Sequence, residues 1–109
     1  MPRYAFTVFS KPVAGQEQEY NRWYGEQHLG DVLKVPGFVA AQRFKLAQPD
    51  PVAPAQYLAI YQIESDNLQQ TMTALQERAG TKDMPLSPAL DVQGVKAFIY
   101  EAITDLRRS

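Results

Sequence analysis

Phe38 to Glu64 reads FVAAQRFKLAQPDPVAPAQYLAIYQIE, two strand-like runs around a proline-rich gap. Phe38 to Ala47 and Gln56 to Glu64 are dominated by aromatic, β-branched and small apolar residues. Between them, Gln48 to Pro54 carries Pro49, Pro51 and Pro54. A segment so rich in proline cannot continue a hydrogen-bonded ladder, so it is a long hairpin loop.

Upstream of this hairpin, Arg3 to Ser10 (RYAFTVFS) is a third strand-like run with no polar face. Pro12 and Gly15 mark a turn. From Gln16 the period becomes helical, with Tyr20, Trp23, Tyr24 and Gln27 on one side at spacings of three and four. Gly30 is expected to kink or interrupt this helix, and Val35-Pro36-Gly37 to close it. Downstream, Ser65-Asp66-Asn67 offers N-caps for a second helix. Leu68, Met72, Leu75 and Ala79 form its apolar stripe, and Gly80 its stop. Thr81 to Gln93, with Pro85 and Pro88, has no period. With Met84 and Leu86 it suggests a flap over a cavity mouth, reaching toward a partner subunit. Gly94 to Thr104 (GVKAFIYEAIT) is the last strand.

The order is therefore βαββαβ. Two right-handed crossovers around a central hairpin give an α+β domain: a four-stranded antiparallel sheet with two helices on one face. The 109 residues suit one domain, 1–109. The strands carry apolar residues on both faces, and two helices cover only one. A homodimer packed sheet to sheet covers the other.

Composition narrows the function. Lys plus Arg is 11 and Asp plus Glu is 12, so the basic excess of a nucleic-acid binder is missing. Without cysteine there is no disulfide, thiolate nucleophile or cysteine-ligated metal, and one histidine among scattered carboxylates gives no metal-ligand spacing. No apolar run approaches the roughly 20 residues of a membrane span, and Met1-Pro2-Arg3-Tyr4 does not begin a signal peptide. The expectation is a cytoplasmic protein with no membrane partner.

Trp23-Tyr24, His28 four residues later, Asp31, and Pro36-Gly37-Phe38 leading into the second strand resemble the signature of the EthD-like family. Arg43-Phe44 in that strand also matches. The family often has proline before the acidic residue; here Gly30 stands there. The resemblance implies the ferredoxin-like dimeric α/β barrel. Its superfamily includes cofactor-independent monooxygenases, lactone isomerases, polyketide cyclases and proteins with no known reaction, so the reaction stays open.

A lone histidine is more simply one that caps or packs near the helix end, hydrogen-bonded to backbone; with the resemblance, the functional reading goes to His28. It titrates near neutrality and lies on the aromatic flank of the first helix. Asp31 is placed to orient its ring. Trp23, Tyr24, Tyr4, Phe6, Arg43 and Tyr61 are the candidate substrate-binding residues. For Trp23 and most tyrosines, core or interface packing is the simpler role; for Arg43, a strand-edge ion pair is. Three readings follow. One is a cofactor-independent enzyme using acid–base chemistry, in an isomerisation, cyclisation, dehydration or oxygenation. Its substrate would be a small, largely apolar carbonyl or phenolic compound. The second is a non-catalytic small-molecule-binding or accessory protein, and the third, which a barrel without an internal cavity would favour, is a purely structural dimerisation module.

Overall fold

The computed structural model describes residues 1–108. Strands β1 (Arg3–Ser10), β2 (Phe38–Lys45), β3 (Tyr57–Glu64) and β4 (Lys96–Glu101) form one sheet in the order β2-β3-β1-β4. Each neighbouring pair is antiparallel. The first helix is continuous but changes pitch twice. It runs as α1 (Glu17–Trp23), a π-helical turn (Tyr24–His28) and α2 (Leu29–Leu33). The second helix, α3 (Leu68–Arg78), starts at Asn67, whose side chain accepts from the Gln70 amide at 3.1 Å.

Period-two alternation in β3 fixes which face is inside. Tyr57, Ala59, Tyr61 and Ile63 are buried under the helices, while Gln62 and Glu64 are exposed. Register then sets the rest: Phe6 opposes Tyr61 and Val8 opposes Ala59, so Tyr4, Phe6 and Val8 of β1 join the same face. Phe6, Phe38 and Tyr61 meet with ring centroids 5.9–6.3 Å apart. Tyr20, Trp23, Tyr24, Val32 and Val35 close the core from the helical side.

A bulge between Phe38 and Ala40 changes the phase of β2. Phe38 opposes Ile63, yet Ala41 opposes Tyr61 and Arg43 opposes Ala59. One extra residue therefore turns Ala41 and Arg43 toward the helices and sends Phe44 to the outer face. That face also carries Phe9, Leu58, Ile60, Phe98 and Tyr100. Phe44, Phe98 and Tyr100 are 42%, 49% and 62% exposed, an apolar patch without a cover in the single chain.

Several expected boundaries shift. β2 ends at Lys45 rather than Ala47. β4 spans Lys96–Glu101 rather than Gly94 to Thr104, because Val92–Gly94 forms a 3-10 turn. Gly30 does not interrupt the first helix. It lies within α2, and the irregularity is the π-helical turn before it. The glycine that matters is Gly37, at φ +98° in the turn before β2. A Cβ there would meet the Thr71 side chain of α3 at 3.0 Å.

Candidate functional site

A cavity of about 330 Å³ lies between the sheet and the helices. The sheet contributes Phe6, Val8, Tyr61 and Ala97, the first helix Trp23, Tyr24, His28 and Val32, and α3 Leu75. Met84, Leu86 and Leu90 close another side. No aspartate, glutamate, lysine or arginine lines it. The volume falls at the low end of the range for small-molecule pockets, about 300–1,000 Å³.

The π-helical turn decides how His28 sits. The Leu29 amide donates to the Tyr24 carbonyl, five residues back. One turn of this wider helix separates Trp23 from His28, and their rings stack at 4.5 Å and 25°. Tyr24 meets the imidazole edge-on at 5.1 Å. Trp23 is fixed in turn by its indole N–H, which donates to the Pro85 carbonyl at 3.1 Å.

Nδ1 of His28 is buried without a hydrogen-bond partner, and so is the Tyr61 hydroxyl. Burial costs a charged imidazole its hydration. The pKa of His28 falls from 6.5 to about 4, although the Asp31 carboxylate pulls the other way. The ring is therefore neutral at neutral pH. Burial also raises the Tyr61 and Tyr24 phenols; Tyr24 pushes Tyr61 further up, whereas Tyr61 partly offsets the rise at Tyr24. Two polar groups with incomplete bonding thus belong to residues of one apolar cavity, where the general rule is that buried polar atoms are paired.

The expected site residues divide. His28, Trp23, Tyr24, Phe6 and Tyr61 surround the cavity. Tyr4 does not line it; this residue packs farther along the same sheet face. Arg43 does not line it either, and the strand-edge ion pair is not formed. Its guanidinium lies over the rings of Tyr24, Tyr20 and Tyr57, and Nη2 donates to Asn21 Oδ1 at 2.9 Å. Asp31 does not hydrogen-bond His28. Its carboxylate accepts from Gln27 Nε2 at 2.7 Å and has Lys34 Nζ at 4.0 Å, so any influence on the imidazole is through charge. Gln27, expected on the inward stripe, is exposed.

The Thr81 to Gln93 segment is also more fixed than a flap. Met84 is 1% exposed and Ala89 2%. The Val13 amide donates to Ala89 O at 2.7 Å, and the Asp91 amide to Lys11 O at 3.1 Å. The segment is a wall of the cavity, with Leu86 at its outer margin. Val8, Leu75 and Ala97 are not among the site residues expected from the sequence. They carry no chemistry-bearing group, and only the fold brings them to one place.

No family model matches the sequence, and no curated protein matches it. Solved structures do share the fold. A heme degrader from Mycobacterium tuberculosis, MhuD, with two hemes bound in its active site, has a TM-score of 0.65 at 19% identity. The match covers 95% of this chain and 99% of that one. A candidate monooxygenase from Shewanella loihica has a TM-score of 0.61 at 18% identity, over 96% and 99% of the two chains. An EthD family protein from Bacillus halodurans has a TM-score of 0.60 at 14% identity, over 94% and 100%. The chain thus has the ferredoxin-like α+β fold of these proteins, the fold that its resemblance to the EthD-like family implied. Among the described residues, no helix is long and apolar enough to cross a membrane. No group of three or more potential metal-ligating residues occurs among the described residues.

Proposed function

We propose that this chain is a small-molecule enzyme in which His28 acts as a general base without a bound cofactor. The substrate is a small, largely apolar carbonyl or phenolic compound. One observation carries this reading: a neutral imidazole with an unpartnered nitrogen, stacked on Trp23 in the wall of an otherwise apolar cavity. A neutral ring is ready to accept a proton from an acidic C–H or O–H. The Asp31 carboxylate favours the imidazolium as it forms, and the same ring returns the proton in an isomerisation, cyclisation or dehydration. A heme is a poor match to this cavity. Its tetrapyrrole ring is large for about 330 Å³, and the wall has no cation for its carboxylates. We also propose that the chain works as a homodimer, joined through the outer sheet face.

The test is a panel of small phenols, enols and ketones, assayed for binding and turnover with the wild type and His28→Ala. Loss of a general base typically lowers the rate about 10²–10⁴-fold with much less effect on binding. Turnover of a bound compound at the wild-type rate by His28→Ala sinks the catalytic role. Tight binding with no turnover by either protein favours a carrier of apolar molecules instead.

A further inference from the structure

The bulge in β2 brings a guanidinium to the helical side of the sheet. Arg43 has its Cζ 4.5 Å from the ring centroid of Tyr24, 5.3 Å from that of Tyr20 and 5.4 Å from that of Tyr57. Its guanidinium donates to a neutral amide, Asn21, at 2.9 Å. Arg3, Arg22 and Arg107 each reach a carboxylate, whereas Arg43 has no salt bridge among the described residues. The carboxylate of this cluster, Glu17, accepts from the Tyr57 hydroxyl instead. A half-buried cation without a counter-ion is a costly feature. Its placement behind Tyr24 puts it one aromatic ring from the cavity, whose own wall is uncharged.

We propose that Arg43 is a positioning residue whose charge, acting through Tyr24, stabilises an anion formed in the cavity. The substrate class is accordingly a weak acid with a delocalised conjugate base: a phenol, an enol or a 1,3-dicarbonyl compound. This rests on the reading of the cavity as a site of proton removal. The proton passes to His28, the negative charge stays on the ligand oxygen, and no electron acceptor is involved. The groups that share this field are His28 and Tyr24 on the π-helical turn, Asp31 on α2 and Tyr61 on β3. Around the guanidinium itself stand Glu17, Tyr20 and Asn21 on α1, Tyr57 on β3 and, farther along β2, exposed Lys45. Asp31 favours the imidazolium and opposes a ligand anion, and Arg43 is a cationic counterweight placed directly behind the wall. A unit charge acting over roughly 8–10 Å at an effective dielectric near 20 shifts an acid's pKa by about one unit.

The probe is 4-nitrophenol, whose phenolate absorbance reports its ionisation while bound. Ala97→Trp, which fills the cavity, shows whether binding occurs there. The bound pKa is expected to be about one unit lower in the wild type than in Arg43→Met, with Arg43→Lys close to the wild type. Arg43→Gln replaces Arg43→Met where the latter loses its fold. A bound pKa indistinguishable among these proteins overturns the inference and leaves Arg43 as a structural clamp between α1 and β2. Absence of any binding that Ala97→Trp blocks overturns the cavity as the ligand site, and the inference with it.

Discussion

His28 makes acid a specific stress on this fold. Its pKa is about 4 in the native protein, lowered from 6.5 by burial, and the unfolded chain returns it to the ordinary value. Between those values the unfolded state binds more protons than the native state. Stability therefore rises with pH in that window and is lost as pH falls from about 6.5 toward 4. A difference of about 2.5 units, at about 1.36 kcal/mol each, gives a loss of roughly 3 kcal/mol. Small domains are stable by only about 5–15 kcal/mol, so the effect is large. The assay is urea denaturation at pH 7, 5.5 and 4 for the wild type and His28→Gln. The variant loses the Trp23 stacking at every pH but carries no titrating ring. The wild type should lose about 3 kcal/mol more than the variant between pH 7 and 4. Parallel profiles would refute the buried, unpartnered imidazole, and so would an NMR titration of the native ring near 6.5.

Two other outcomes follow from the packing. Light scattering at micromolar concentration should give twice 12.3 kDa, and Phe98→Glu on the exposed outer face should halve that mass; a monomeric wild type would end the dimer proposal. Met84→Ala should cost about 2–5 kcal/mol in denaturant, the usual toll for emptying a buried methionine site; a cost well under 1 kcal/mol would restore the mobile flap.

The element order was readable because it depends on signals that survive in one sequence. Three prolines within Gln48 to Pro54 broke the central hairpin where the structure breaks it. Asn67 capped α3, and Leu68, Met72 and Leu75 marked its inner stripe. The lack of a polar face in β1 and β4 foretold the exposed apolar patch. His28, Trp23, Tyr24, Phe6 and Tyr61 came together because an aromatic helix flank must pack on an aromatic sheet face. Side-chain partners were less readable. Asp31 stands three residues after His28, which suggested a hydrogen bond, but Gln27 at the i−4 position takes its carboxylate.

What the sequence hid are two one-residue irregularities, and both act on residues with chemistry to offer. Helical counting at 3.6 residues per turn places His28 over Tyr24; the wider π-helical turn stacks it on Trp23 instead. The same turn rotates everything after it by roughly 100°, which brings Val32 onto the face defined by Tyr20, Trp23 and Tyr24. Strand counting puts Phe38 and Arg43 on opposite faces; the bulge puts them on one. The bulge does not follow from propensity, since β2 contains no glycine or proline, and for the π-helical turn the only local sign is Gly25 within it. The π-helical turn has a packing return in Val32, but the bulge in β2 has none for the two side chains it exchanges. Without the bulge, Arg43 would lie on the outer face and Phe44 in the core, a cheaper arrangement for both side chains. A fold that brings both the imidazole and the guanidinium against the ring of Tyr24 through such irregularities has the pattern expected where local regularity is given up for a site.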